Sequence, residues 1–147
     1  MNKAQIVQQL EKFETTNPFS NIEISEDVQK YIKKGICCSH CGSFQIESVK
    51  SYIHCGCGMY EPRELAIVRT ICEYGVLHAK EDLRATAVHR FFDGQVSRSY
   101  LVNLLNKHFT KIGNNRGSRY VNMRLPFPQI YKQFNFDKCR YLKLMQY

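Results

Sequence analysis

Ile6, Val7, Leu10 and Phe13 recur at helical spacing, which predicts an amphipathic helix over 3–13. Thr15-Thr16-Asn17-Pro18 breaks it, and Ile22 and Ile24 then alternate as a short strand does. Ser25 is placed to cap a helix with Val28, Tyr31 and Ile32 on one face, ending at Lys33-Lys34-Gly35. Phe44–Val49 and Ser51–Ile53 read as strands. Pro62 suits the first position of a helix and Glu64 its positive end, with Leu65, Val68, Ile71 and Cys72 as the buried face. Gly75 is the expected stop, followed by a short strand Val76-Leu77-His78.

A second helix is expected from about Lys80, with Leu83, Ala87, Val88, Phe91 and Phe92 apolar. Asp93-Gly94 marks a tight turn, and Ser97 caps a third helix from Arg98 to about His108. With Leu101 at the centre of its inward face, 100° per residue puts Leu104, Leu105 and His108 on the same side. Ser99, Asn103 and Asn106 then point outward. Residues 109–124 alternate Phe109, Ile112, Tyr120, Val121 and Met123 around a tip of Gly and Asn, which tolerate positive φ, so a β-hairpin is predicted. The expected class is α+β, in four parts: a helical packing or dimerisation segment 1–35, a small β unit 36–60, a helical unit with hairpin 61–125, and an aromatic-rich extension 126–147.

Charge sharpens this picture. The net charge is +8, yet residues 1–34 balance five bases against five acids, while 62–125 hold eleven bases and five acids. No acid occurs from 94 to 136, where Arg98, Lys107, Lys111, Arg116, Arg119, Arg124 and Lys132 lie. One sign concentrated on one segment points to a polyanionic partner, with nucleic acid first. No apolar run approaches the ~20 residues of a membrane span, and the first residues lack the apolar region of a signal peptide. A cytoplasmic, reducing location without membrane association is expected.

Five of seven cysteines fall in two knuckles, Cys37-Cys38-Ser39-His40-Cys41-Gly42 and Cys55-Gly56-Cys57-Gly58. Four thiolates from two glycine-closed turns match the tetrahedral shell of Zn2+, so Cys38, Cys41, Cys55 and Cys57 are the candidate ligands of a zinc ribbon. The second pair has one intervening residue rather than two, which keeps Cys37, His40 and His54 as substitutes. Clustered cysteines in odd number argue against a disulfide framework. Four thiolates leave no open position for water, so the zinc would be structural. Cys72 reads as a core residue, and Cys139 has no partner in sequence.

Helix, strand, helix, tight turn, helix and basic hairpin, with the tip Gly113-Asn114-Asn115-Arg116-Gly117-Ser118-Arg119-Tyr120, resembles a winged helix-turn-helix over 61–125. Knuckle pair followed by winged helix is also similar to the C-terminal module of nuclease-related (NERD) domain proteins, without that domain's acidic and lysine cluster. These likenesses imply a non-enzymatic DNA-binding protein, regulatory or accessory to DNA transactions. Arg98, Ser99, Asn103, Asn106 and Lys107 on the third helix, Lys111 after it, and Arg116 and Arg119 in the wing are the candidate contacts to duplex DNA. Tyr120 is expected to pack under the wing. The alternative is an adaptor that docks on a polymerase or another assembly. The aromatics of 126–147 would pack on the N-terminal helix or on a second subunit of a homodimer, rather than stack on bases. A thiol site of Cys37, His40 and His54 is the weakest reading, because no carboxylate pair or phosphate loop accompanies it.

Overall fold

A computed structural model describes residues 25–125 and Phe127. The expectations for 3–13, for Ile22 and Ile24, and for the aromatic segment beyond Phe127 lie outside these residues. Helix α1 (Glu26–Gln29) begins where Ser25 predicts but lasts a single turn, and the Ser25 side chain makes no capping bond. Among the described residues its expected apolar face is largely uncovered: Val28 is 53% and Tyr31 86% exposed, while Ile32 packs on the core.

Three antiparallel strands follow in the order β1 (Ile46–Val49), β2 (Tyr52–Cys55), β3 (Tyr60–Pro62). Val49 pairs with Tyr52, so the hairpin turn is Lys50-Ser51, with Lys50 in the left-handed region. Strand β3 is an addition to the sequence reading. Proline has no N–H for a ladder, but Pro62 ends an edge strand, where none is needed. It is also the cap residue of the next helix rather than its first residue.

Helix α2 (Arg63–Leu77) is the centre of the molecule, and ten of its fifteen residues are buried. Burial extends past the expected face to Ala66, Ile67, Arg69 and Thr70 because α2 is covered twice. Ile36 and Ile53 close over it from the sheet side, and Phe92, Leu101 and Leu105 from the helical side. An enclosed helix must satisfy its polar groups internally. Thr70 Oγ1 donates to the Ala66 carbonyl at 2.8 Å. Arg69 donates to both Glu61 oxygens at 3.1 and 3.0 Å, to Glu73 at 2.9 Å and to the Cys37 carbonyl at 2.7 Å.

Gly75 does not stop α2, and Val76-Leu77-His78 forms no strand. Instead the Asn122 amide converges on the carbonyls of Gly75, His78 and Glu81 at 2.9, 3.2 and 2.9 Å. A Cβ at Gly75 would come within 2.5 Å of Asn122 Oδ1, so the glycine makes room for this side chain. The strand expected at 76–78 is replaced by Leu83, whose N–H and carbonyl bond Tyr120 at 2.9 and 2.8 Å. The following helix accordingly starts later, as α3 (Ala85–Phe91). Asp93 and Gly94 both have positive φ and make the expected turn. Ser97 then caps α4 (Arg98–His108), its Oγ accepting the Tyr100 N–H at 3.4 Å.

The hairpin is shorter than 109–124: β4 (Lys111–Ile112) pairs with β5 (Arg119–Tyr120), around a 3-10 turn at Asn115–Gly117. Gly113 and Asn115 take the positive φ expected of the tip. The class is α+β, as expected. Among the described residues no helix is long and apolar enough to cross a membrane.

Candidate metal centre and nucleic-acid interface

The first knuckle is closed by Cys38 N–H donating to Ser43 O at 2.8 Å and Gly42 N–H to Cys38 O at 3.0 Å. The second is closed by Cys55 N–H to Met59 O at 3.0 Å and Gly58 N–H to Cys55 O at 2.9 Å. Gly42 and Gly58 have φ of 74° and 94°, the left-handed conformation that such returns demand. The tight β2–β3 turn explains the shortened spacing, because Cys55 still lies on a strand while Cys57 sits at the bend.

These turns bring Cys38, Cys41, Cys55 and Cys57 together, with all four sulfurs within 4.8 Å of one another. Cys38 Sγ lies 3.6 Å from Cys57 Sγ, and Cys41 Sγ 3.5 Å from Cys55 Sγ. A tetrahedral Zn–S4 centre with bonds of about 2.3 Å has sulfur–sulfur edges of about 3.8 Å, so the donor set fits zinc in type and size. None of the three substitutes joins this group of sulfurs. The His54 ring stacks on Tyr60 at 4.3 Å, His40 contributes a backbone N–H to Cys38 Sγ at 3.4 Å, and Cys37 faces Arg69.

The thiols of the cluster are shifted in opposite directions. Burial raises the Cys38 thiol, but the backbone amides of Cys41 and His40, together with hydrogen bonds from Cys57 and Cys55, outweigh it and bring the value down to about 6. The Cys57 amide lowers Cys55, yet burial and the neighbouring sulfurs of Cys41, Cys57 and Cys38 push it up to about 12. A positive ion beside Cys55 would favour its thiolate form. The other buried thiol, Cys72, is pushed up to about 12 by burial and belongs to the core, as its sequence position implies.

No protein family, curated protein or solved structure matches this chain. Chemistry must therefore be read from its own residues.

Around α4 the inward set Leu101, Leu104, Leu105 and His108 is buried, while Ser99, Asn103 and Asn106 face solvent. The other proposed contact residues divide by their partners. Lys111 and Arg116 are exposed, Arg116 at the hairpin tip. Arg98 donates to Thr86 Oγ1 at 2.9 Å. Lys107 lies 2.7 Å from Glu64 Oε1, an oxygen shared with His108 Nε2 at 2.7 Å. Burial resists ionisation of Glu64, but bonds from Lys107 and His108 lower it below the ordinary carboxylate range. Burial lowers His108, against the pull of Glu64, and with its proton on Nε2 the ring donates a hydrogen bond to that carboxylate. Arg119 is bonded to Asp82 at 2.9 Å, and Asn106 Oδ1 accepts from Tyr120 at 2.7 Å. The last two partnerships join the hairpin to the α2–α3 connection and to α4. Sequence reasoning missed Arg69, whose only local signal was Glu73 one turn on, and Arg63, which lies beside Tyr100.

Proposed function

We propose that this chain is a zinc-containing, non-enzymatic DNA-binding protein in which the four-cysteine centre steadies a reading head made of α4 and the hairpin. The carrying observation is that Ser99 and Asn103 are exposed on α4, that the hairpin is tied to the same helix by the Tyr120 hydroxyl on Asn106, and that both elements lie in a stretch of sequence without acids. Asparagine can pair bidentately with adenine in the major groove, hydroxyls near Ser97 can hold phosphate, and a Gly- and Asn-rich tip brings Arg116 to the backbone or minor groove. The order α2, Leu83 bridge, α3, α4, hairpin supports a winged helix-turn-helix. The likeness to the appendage of nuclease-related proteins adds a role accessory to DNA transactions. The test is titration of the zinc-loaded chain onto random duplex, single strand and RNA at several salt concentrations. Duplex binding that weakens steeply with salt supports the reading; salt-insensitive or absent binding ends it.

A second reading has its own observation. Val49, Tyr52 and Tyr60 on the three-stranded sheet, and Met59 in its β2–β3 turn, expose apolar surface, which favours an adaptor that docks on a protein assembly. Saturable binding to a protein partner that survives high salt would favour it.

A further inference from the structure

A helix seated in a major groove has a phosphate backbone on either side, so its outward strip needs a cation on each flank. On α4 the strip is Ser99, Asn103 and Asn106, and Arg98 occupies one flank, steered by Thr86. Helical spacing places Tyr100 and Lys107 together on the other flank. There the Lys107 charge is compensated by Glu64 at 2.7 Å. A different cation stands on this side. Arg63, in the first turn of α2, holds its guanidinium carbon 5.4 Å from the centroid of the Tyr100 ring, and its Nη2 donates to the Gln95 carbonyl at 3.2 Å. A ring and a carbonyl position it, neither of which cancels its charge. Its Nε is buried with no hydrogen-bond partner among the described residues, so the resting pose leaves donor capacity unused.

We infer that Arg63, oriented by Tyr100 and Gln95, binds a backbone phosphodiester of duplex DNA on the flank of α4 opposite Arg98. The inference rests on the DNA-binding reading. Arginine suits the task because its planar fork can stack on a ring and still present two parallel donors to phosphate. Tyr100 is then a positioning residue, fixing the guanidinium beside the strip.

The experiment measures affinity of the zinc-loaded full chain for a random duplex across salt concentrations. Loss of one phosphate contact should flatten the slope of log K against log salt by about 0.9, which is a drop of about eightfold at 0.1 M salt. Arg63→Gln is expected to show both, with unchanged ranking among duplex sequences. Tyr100→Leu should weaken binding, and Arg63→Gln added to it should cost less than twofold more. If the native chain binds with a steep slope while Arg63→Gln leaves slope and affinity unchanged, this inference is overturned and the broader reading stands. If the native chain shows no salt-dependent duplex binding, both are overturned. A measurement on the native chain guards against a misfolded variant: the Nε–H resonance of Arg63 should shift on duplex addition and return with added salt. A resonance that does not move overturns the assignment.

Discussion

At the scale of single residues, several side chains act through contacts far away in sequence. Gly75 is the clearest case. In an exposed helix, Gly→Ala stabilises by roughly 1 kcal/mol. Here the new methyl would meet Asn122 Oδ1, and the three carbonyls that Asn122 serves would lose their donor. Gly75→Ala should therefore lower the melting temperature, with a cost of about 1–3 kcal/mol for the unsatisfied groups; a melting temperature at or above the native value would refute this. His108 gives a pH dependence. Its folded value lies below the ordinary 6.5, so the unfolded chain takes up the proton first as pH falls. Its stability contribution is complete above about 6.5 and is lost on acidification through the folded value. Thermal melts between pH 8 and 5.5, with bound zinc measured at each point, should show a steeper decline for the native chain than for His108→Gln.

Elements were legible where their signals are local. The knuckle cysteines, the Asp93-Gly94 turn and the Ser97 cap each depend on neighbours within a few residues, and each stands where the sequence placed it. Local signals misled where tertiary contacts decide. Gly75 reads as a stop, but Asn122 occupies the space it leaves; Val-Leu-His reads as a strand, but Tyr120 pairs with Leu83. Helical periodicity at Val28 and Tyr31 implied burial that nothing described supplies. Arg119 looked available for phosphate, yet Asp82, 37 positions earlier, holds it. A smaller share in the proposed DNA binding is expected of it. Arg116→Ala should flatten the duplex salt slope by about 0.9, whereas Arg119→Ala should change it less, because it also uncovers Asp82. Asn103→Ala should leave the slope alone and blur discrimination among sequences. Equal slopes for native chain and Arg116→Ala would remove the hairpin tip from the interface. For the metal centre, one zinc per chain is expected. Cys57→Ser should release it and His54→Ala should not, as read by metal analysis; the reverse result would reassign the ligand.

At the scale of the molecule, the sheet and the helices share one core. The sequence suggested a boundary between 60 and 61, but nothing in composition revealed how much crosses it. Ile36 and Ile53 lie on one side of that cut and complete the core on the other. Ile36 N–H donates to Gln95 Oε1 at 2.7 Å, tying the lead-in of the first knuckle to the turn before α4. Arg69 reaches back to Cys37, one residue from a candidate ligand, and removing one partner of such a buried charge costs about 3–5 kcal/mol. An expressed fragment 61–125 should therefore melt far below the parent chain or fail to fold. A fragment as stable as the whole would show the connection to be dispensable. Stripping zinc from the intact chain should disturb amide signals of α4 as well as those of the knuckles.

The Arg69 and Gln95 ties also bear on what happens as the polypeptide leaves the ribosome. The knuckles emerge before α2, α3 and α4, so metal can be captured while the later segments are still being made. A chain starved of zinc during synthesis would then present α2 to solvent with one side bare. Such a chain is a substrate for chaperones and proteases. Zinc supply would on this account set how many copies survive, and abundance, rather than occupancy of a finished protein, would be the quantity that metal limitation changes.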